Sequence, residues 1–172
     1  DLTAFCHALR SSRLQALELR LHALWRDLAA AGELLTALVG HPTLKELSLP
    51  DAVGDTDDAR RAAGEQLASL ITHTSALQKL DLSENSLGEA GLAPIFEALP
   101  RSSTLKELLF PLAYNETISR EFARDVILPA VRANTSLRML SFGFYSSFPE
   151  LREAEAIVAA RMQPDATAVA AA

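Results

Sequence analysis

"LDLSENSLGEAG", residues Leu80 to Gly91, sets apolar Leu80, Leu82 and Leu87 around a lone Asn85 and then breaks at Gly88 and Gly91. A single stretch of this kind fits a strand and a turn in any α/β protein; what matters is whether it recurs. The hexamer it begins in, "LQKLDL" from Leu77, is apolar at its first, fourth and sixth positions. The same frame stands in "LQALEL" (Leu14, Leu17, Leu19), "LKELSL" (Leu44, Leu47, Leu49), "LKELLF" (Leu105, Leu108, Phe110) and "LRMLSF" (Leu137, Leu140, Phe142). The five copies begin at 14, 44, 77, 105 and 137, in steps of 30, 33, 28 and 32 residues. One such hexamer arises by chance; five in order at a near-constant period define a repeat.

Positions four and six of the frame are separated by one residue, so on a strand both side chains point to the same face. That face is apolar and turned inward, while positions three, five and seven face out. Between the copies the apolar spacing becomes helical. "ALWRDLAAAGELLTALV" places Leu24, Leu28, Leu35, Leu38 and Val39 along one helix. "DDARRAAGEQLASLI" opens with acids, which suit a helix N-terminus, and brings Leu67, Leu70 and Ile71 together. "GEAGLAPIFEAL" does the same with Leu92, Ile95, Phe96 and Leu99. "ISREFARDVILPAVRA" does so with Ile118, Phe122, Val126, Ile127 and Val131, with Pro129 expected to kink or tighten its last turns. A last helix, "ELREAEAIVAARM", follows Pro149. Polar turns ("GHPT", "THTSA", "PRSST", "RANTS") return the chain to the next parallel strand. A strand with its crossover helix forms a right-handed unit, and stacked units bury the faces that one unit alone leaves exposed.

These residues resemble a leucine-rich repeat, and the period with full helices is similar to the ribonuclease-inhibitor subtype. The match is best over "LQKLDLSENSLGEAGLAPIFEAL", Leu77 to Leu99. There the resemblance gives Asn85 the role of bonding backbone groups in the turn that leaves the strand, and puts Gly91 at a small-residue position near the helix start. It implies an α/β solenoid of about five repeats over residues 1–162, with parallel strands on the concave face and helices on the convex face, followed by a flexible Ala-rich tail at 163–172. The asparagine position holds His22, Ala52 and Tyr145 in other copies, and "FPLAYN" sets Asn115 two residues late. The turn edge is therefore expected to be irregular. "DLTAFCHALRSS" reads as the helix of a preceding unit whose strand is missing, so the chain is expected to be a piece of a longer protein.

Of 172 residues, 49% are hydrophobic and 22% charged, a globular composition large enough for one sizeable core. The net charge of −6 speaks against a nucleic-acid backbone binder. No apolar run approaches the ~18 residues that cross a bilayer. Cys6 is the single cysteine, which excludes an internal disulfide and a two-cysteine zinc site and favours a cytoplasmic setting. "NET" at Asn115 and "NTS" at Asn134 match a glycosylation pattern but read first as turn chemistry.

No reactive constellation emerges. His7, His22, His41 and His73 fall in different units, and a histidine near a helix end commonly engages the last carbonyls. Cys6 and His7 are adjacent, which on a helix turns them ~100° apart, and Cys6 reads as a small buried hydrophobe. The acidic run Asp51, Asp55, Asp57 and Asp58 lacks calcium-loop spacing and reads as a solvated helix entry. Trp25, beside Leu24 and Leu28, reads as packing. No enzyme activity, cofactor or metal is expected.

What remains is the outward strand face. Its candidate partner-binding residues are Glu18 and Arg20 in the first copy, Glu46, Ser48 and Asp51 in the second, and Lys79, Asp81, Ser83 and Glu84 in the third. Glu107, Leu109 and Leu112 continue it in the fourth, and Met139, Phe144 and Tyr145 in the fifth. The face grades from acidic to apolar and aromatic, and "FGFYSSF" serves either as an interface or as a cap on the array. The expected function is a non-catalytic protein-protein interaction module binding another protein on its concave face. The alternative, drawn from the resemblance, is the substrate-recognition part of a larger enzyme such as a ubiquitin-ligase-type effector, or of an innate-immune-type receptor.

Overall fold

Each copy of the frame becomes one short strand, and its central leucine sets the register. The structure, a computed structural model, describes residues 1–20, 24–50, 56–110, 118–143 and 148–162. The strands are β1 (Ala16–Glu18), β2 (Glu46–Ser48), β3 (Lys79–Asp81), β4 (Glu107–Leu109) and β5 (Met139–Ser141), all parallel in one sheet in chain order. Leu17, Leu47, Leu80, Leu108 and Leu140 pair in a single row. A slip of one residue would turn that row to solvent, so burial of the leucines fixes the pairing.

The helical segments cover the leucine side of the sheet. They are α1 (Leu2–Arg10), α2 (Leu28–Leu38), α3 (Asp57–His73), α4 (Gly88–Ala98), α5 (Arg120–Phe122), α6 (Leu128–Ala133) and α7 (Pro149–Ala160). One buried cluster joins the strand leucines to Leu34, Leu35, Leu67, Leu70, Ile71, Leu92, Ile95 and Val131 of the helices. In its later half Phe110 meets Phe96 and Phe142 edge-on, with ring centroids 5.5 and 5.0 Å apart. The helix starts follow local chemistry. Thr56 caps α3 by accepting from the Ala59 N–H, with Asp57 and Asp58 in the first turn.

Two helical expectations need correction. Residues 23–39 do not form one helix: a 3-10 turn at Leu24–Arg26 precedes α2, whose N-cap Asp27 accepts from Ala29 and Ala30 N–H at 3.1 and 3.0 Å. Leu28 is therefore the first helical residue and lies exposed, while Leu34 takes its place in the core. Of the kink or tightening expected at Pro129, the tightening does not occur. Pro129 has no N–H to return to the previous turn, and the chain widens into a π-turn at Ala123–Ile127, where the Leu128 N–H donates to the Ala123 carbonyl.

α3 and α4 touch backbone to backbone. A Cβ on Gly64 would lie 2.2 Å from the Gly91 carbonyl oxygen, and one on Gly91 would lie 2.8 Å from the Arg60 carbonyl oxygen. Gly91 thus holds a position that only a residue without a side chain fits, in agreement with the small-residue role implied by the resemblance.

The polar turns have a shared function that their sequences did not disclose. Three residues before the first frame position of copies two to five stand His41, Thr74, Ser102 and Asn134. Each accepts a hydrogen bond from the N–H of the frame residue itself, Leu44, Leu77, Leu105 or Leu137. His41 does so through Nδ1 while its Nε2 meets the Leu9 carbonyl at 3.1 Å. The buried Asn134 also donates through Nδ2 to the Leu99 and Ser102 carbonyls at 2.8 and 3.1 Å. These residues satisfy backbone groups where the chain turns from helix to strand inside the core.

Candidate functional site

Among the described residues no helix covers the side of the sheet opposite the leucines, and the residues of that side form two rows. Pairing places Ala16, Glu46, Lys79, Glu107 and Met139 in the first, and Glu18, Ser48, Asp81, Leu109 and Ser141 in the second. Eight of the fifteen candidates belong to these rows. Arg20, Ser83 and Glu84 flank them on the turns that follow β1 and β3. Asp51, Leu112, Phe144 and Tyr145 lie outside the described residues, as do the Asn115 turn, His22, Ala52 and the tail at 163–172.

The charges on this face are of both signs and are joined by long or exposed pairs. Lys79 Nζ stands 3.9 Å from Glu107 Oε2, a long and solvent-screened pair. Arg20 is held by Glu18 at 3.1 Å and reaches Glu84 at 3.6 Å, so it ties the first strand to the turn after the third. Glu46 is exposed and has no partner among the described residues. Carboxylates outnumber cations here, Glu18, Glu46, Asp81, Glu84 and Glu107 against Arg20 and Lys79. A depression of about 290 Å³ lies at the acidic end, lined by residues of β1, β2 and β3 including Leu17, Glu18, Glu46, Ser48, Lys79 and Asp81. At the other end Met139 is 46% exposed and Leu109 half-buried, so the described part of the face does pass from charged to apolar.

Two candidates have local structural duties. Asp81 accepts from both the backbone N–H and the hydroxyl of Ser83, closing the turn that leaves β3. Glu84 sits in the left-handed region at φ +62°, where a non-glycine residue is strained, and this turn directs the Asn85 side chain inward. Buried Asn85 donates through Nδ2 to the carbonyls of Leu49, Leu82 and Ser83 at 2.7, 3.0 and 3.2 Å. It therefore links its own turn to the end of the preceding strand, as the resemblance implies.

The other polar side chains serve packing and turns. Trp25 is buried and its Nε1 donates to Gln66 Oε1 at 2.9 Å. His73 meets the carbonyl of Ser69 in the last turns of α3 at 2.8 Å. Burial, with Glu33 second, pushes the Cys6 thiol above its ordinary pKa, which works against thiolate chemistry. Among the described residues no three His, Cys, Asp or Glu side chains gather closely enough to hold a metal ion. No described helix is long and apolar enough to cross a membrane. The sequence reading missed a second concavity of about 320 Å³, on the helix side, formed by Phe96, Glu97, Pro100, Asp125, Val126 and Pro129 with Ala130. Its only sequence signal is the pair of prolines that interrupt neighbouring helices.

The fold is of the leucine-rich-repeat type, with a parallel sheet and helices on one side. No family model and no curated protein matches the chain. Solved structures share its fold. Actin-binding site 2 of leiomodin-1 is 19% identical over 93% of this chain and 86% of its own, with a TM-score of 0.71. The tropomodulin C-terminal domain of Caenorhabditis elegans is 19% identical over 94% of this chain and 92% of its own, with a TM-score of 0.68. The likeness to these domains is one of fold, and it does not single out the ribonuclease-inhibitor subtype.

Proposed function

We propose that this chain is a non-catalytic protein-interaction domain whose partner lies on the open face of the sheet, the concave wall of a leucine-rich solenoid. The observation that carries the reading is the uncovered row Glu46, Lys79 and Glu107 beside the depression on β1 to β3. Charges of both signs on a rigid sheet select a partner by electrostatic complementarity, and the apolar end at Leu109 and Met139 supplies desolvated contact area. The partner would present basic groups to Glu46 and Glu107 and an apolar side chain to Met139.

One structure that shares the fold is an actin-binding site, which makes actin the first protein to test. Labelled chain is titrated with monomeric and with filamentous actin, in parallel with Glu46→Lys/Glu107→Lys. Both positions are on the surface, so the variant should keep the thermal midpoint of the parent. Binding weakened at least about tenfold in the double variant is the expected result. Equal binding by both chains would remove the acidic row from recognition, and no binding to either form of actin would remove actin.

A further inference from the structure

Charge is sorted along the fold. The segments that lead from helix to strand, residues 10–15, 40–45, 73–78, 100–106 and 132–138, contain no aspartate or glutamate, although the chain has 22 of them. They contain seven of its 16 basic residues: Arg10, Arg13, Lys45, Arg101, Lys106, Arg132 and Arg138. The opposite edge, where strands lead to helices, holds acids that are already engaged. Asp27 caps α2, Asp57 meets Arg60 at 3.0 Å and Glu84 meets Arg20 at 3.6 Å. Glu89 accepts from the Ser119 N–H at 2.6 Å, and Glu150 meets Arg120 at 2.8 Å.

The helix dipole explains part of this sorting. Arg10, Arg101 and Arg132 stand in last turns, where a cation meets the free carbonyls, and Arg132 also pairs with Glu153. It does not explain Lys45, Lys106 and Arg138, which lie beyond the helix ends, one residue ahead of β2, β4 and β5. These three belong to one row. Lys45 N–H donates to the Gln15 carbonyl, Gln78 N–H to Lys45, Lys106 N–H to Gln78 and Arg138 N–H to Lys106, at 2.7 or 2.8 Å. The row Gln15, Lys45, Gln78, Lys106, Arg138 therefore crosses the sheet with one residue per strand, about 4.8 Å apart. Lys45 is exposed, Lys106 half-buried, and neither has a partner among the described residues. The same holds for Arg101, exposed in the turn before Lys106. Arg138 donates only to the carbonyls of Thr135 and Leu137 and meets no countercharge among the described residues.

We propose that the helix-to-strand edge is a second interaction surface, independent of the open face, which binds an extended acidic segment of a partner polypeptide running across the strands. Lys45 and Lys106 are two strands apart, about 10 Å, which is the length of three extended residues. A carboxylate at every third position of the segment therefore meets both, and Gln78 between them offers its amide to the segment's backbone. Capture of acidic motifs by clustered cations is a general mode of peptide recognition. Other polyanions fit less well. The five segments contain no Phe, Tyr or Trp on which a nucleobase could stack, and a single row suits an extended chain better than the plane of a bilayer. A second copy would have to break the pairs of its own acidic edge.

The test uses the whole chain at low salt and a short fluorescent peptide with glutamate at every third position, against one of equal composition whose glutamates are contiguous. Lys45→Glu/Lys106→Glu reverses the row. Arg61→Glu/Arg152→Glu makes the same change in net charge at exposed positions of α3 and α7. The spaced peptide should bind the parent chain, about tenfold or more weaker after the row reversal and within about twofold after the other. Lys45→Gln/Lys106→Gln removes the charges without reversing them and reads the row even if the reversal fails to fold. Absence of binding, equal losses in the two reversed chains, or equal affinity for the contiguous peptide would overturn the proposal. So would tighter binding to phosphatidylserine vesicles or to single-stranded DNA, which would assign the edge to lipid or nucleic acid. A doubled mass in light scattering that the row reversal abolishes would also overturn it, in favour of a second copy.

Discussion

Gly64→Ala should be the most damaging added methyl group in the molecule, lowering stability by about 3 kcal/mol, at the upper end of overpacking costs. The new Cβ falls 2.2 Å from the Gly91 carbonyl oxygen, a backbone atom that no rotamer change can move. α3 and α4 would have to separate, which loosens the buried cluster to which Leu67, Leu70 and Ile71 of α3 and Leu92, Ile95 and Phe96 of α4 belong. For a chain of this size the loss corresponds to a fall in Tm of roughly 10 °C. Gly32→Ala is the control, since α2 contains Gly32 and a Cβ there meets only the Gln66 side chain at an ordinary 3.5 Å. That change should stabilise by up to about 1 kcal/mol through helix propensity. One chemical change thus carries opposite signs at two positions, and thermal unfolding of both variants checks it. Equal effects would mean that the helices are not in backbone contact.

Asn134→Ala should have the second largest effect, about 3 kcal/mol, because it strands buried backbone groups that water cannot reach. Asn134 Oδ1 accepts from Ser136 and Leu137 N–H at 3.1 and 2.8 Å, and Nδ2 donates to the Leu99 and Ser102 carbonyls. Asn134→Asp should recover little of the loss, since it keeps the acceptor but sets a carboxylate against two carbonyl oxygens. Thr74→Ala removes the equivalent acceptor from a half-buried turn with one such bond, and should cost about 1 kcal/mol. Denaturant midpoints of the three variants measure the order. Similar losses for Thr74→Ala and Asn134→Ala would show that the added partners of Asn134 contribute nothing.

The strands were legible because Leu47, Leu80 and Leu108 recur in a frame whose period matches one strand and its return. Leucine spacing, however, says little about what surrounds a helix. The spacing that grouped Leu28 with Leu35 and Leu38 ignored Asp27, whose carboxylate caps the helix so that Leu28 falls in its first turn and lies exposed. At Pro129 the sequence showed that a hydrogen bond must be lost but not how the chain would absorb the loss, because tightening and widening use the same residues. The turn residues His41, Thr74, Ser102 and Asn134 share a position but not a chemical type. Their common acceptor role became visible only when the N–H groups they meet were placed. On the sheet face alternation correctly turned Glu46, Lys79 and Met139 outward. The involvement of Asp81 with Ser83 and the reach of Arg20 to Glu84 depended on turn geometry that no spacing rule encodes.

The open sheet face is the centre of this account, and photocrosslinking in native extract tests it most directly. Photoreactive residues are introduced singly at Glu46 and Met139 on the sheet, and at Glu65 and Glu97 on exposed helix positions. The account predicts that Glu46 and Met139 capture one and the same polypeptide, and that excess unmodified chain competes the capture away. Capture of a shared polypeptide from Glu65 and Glu97, with none from Glu46 or Met139, would place the partner on the helices and contradict it.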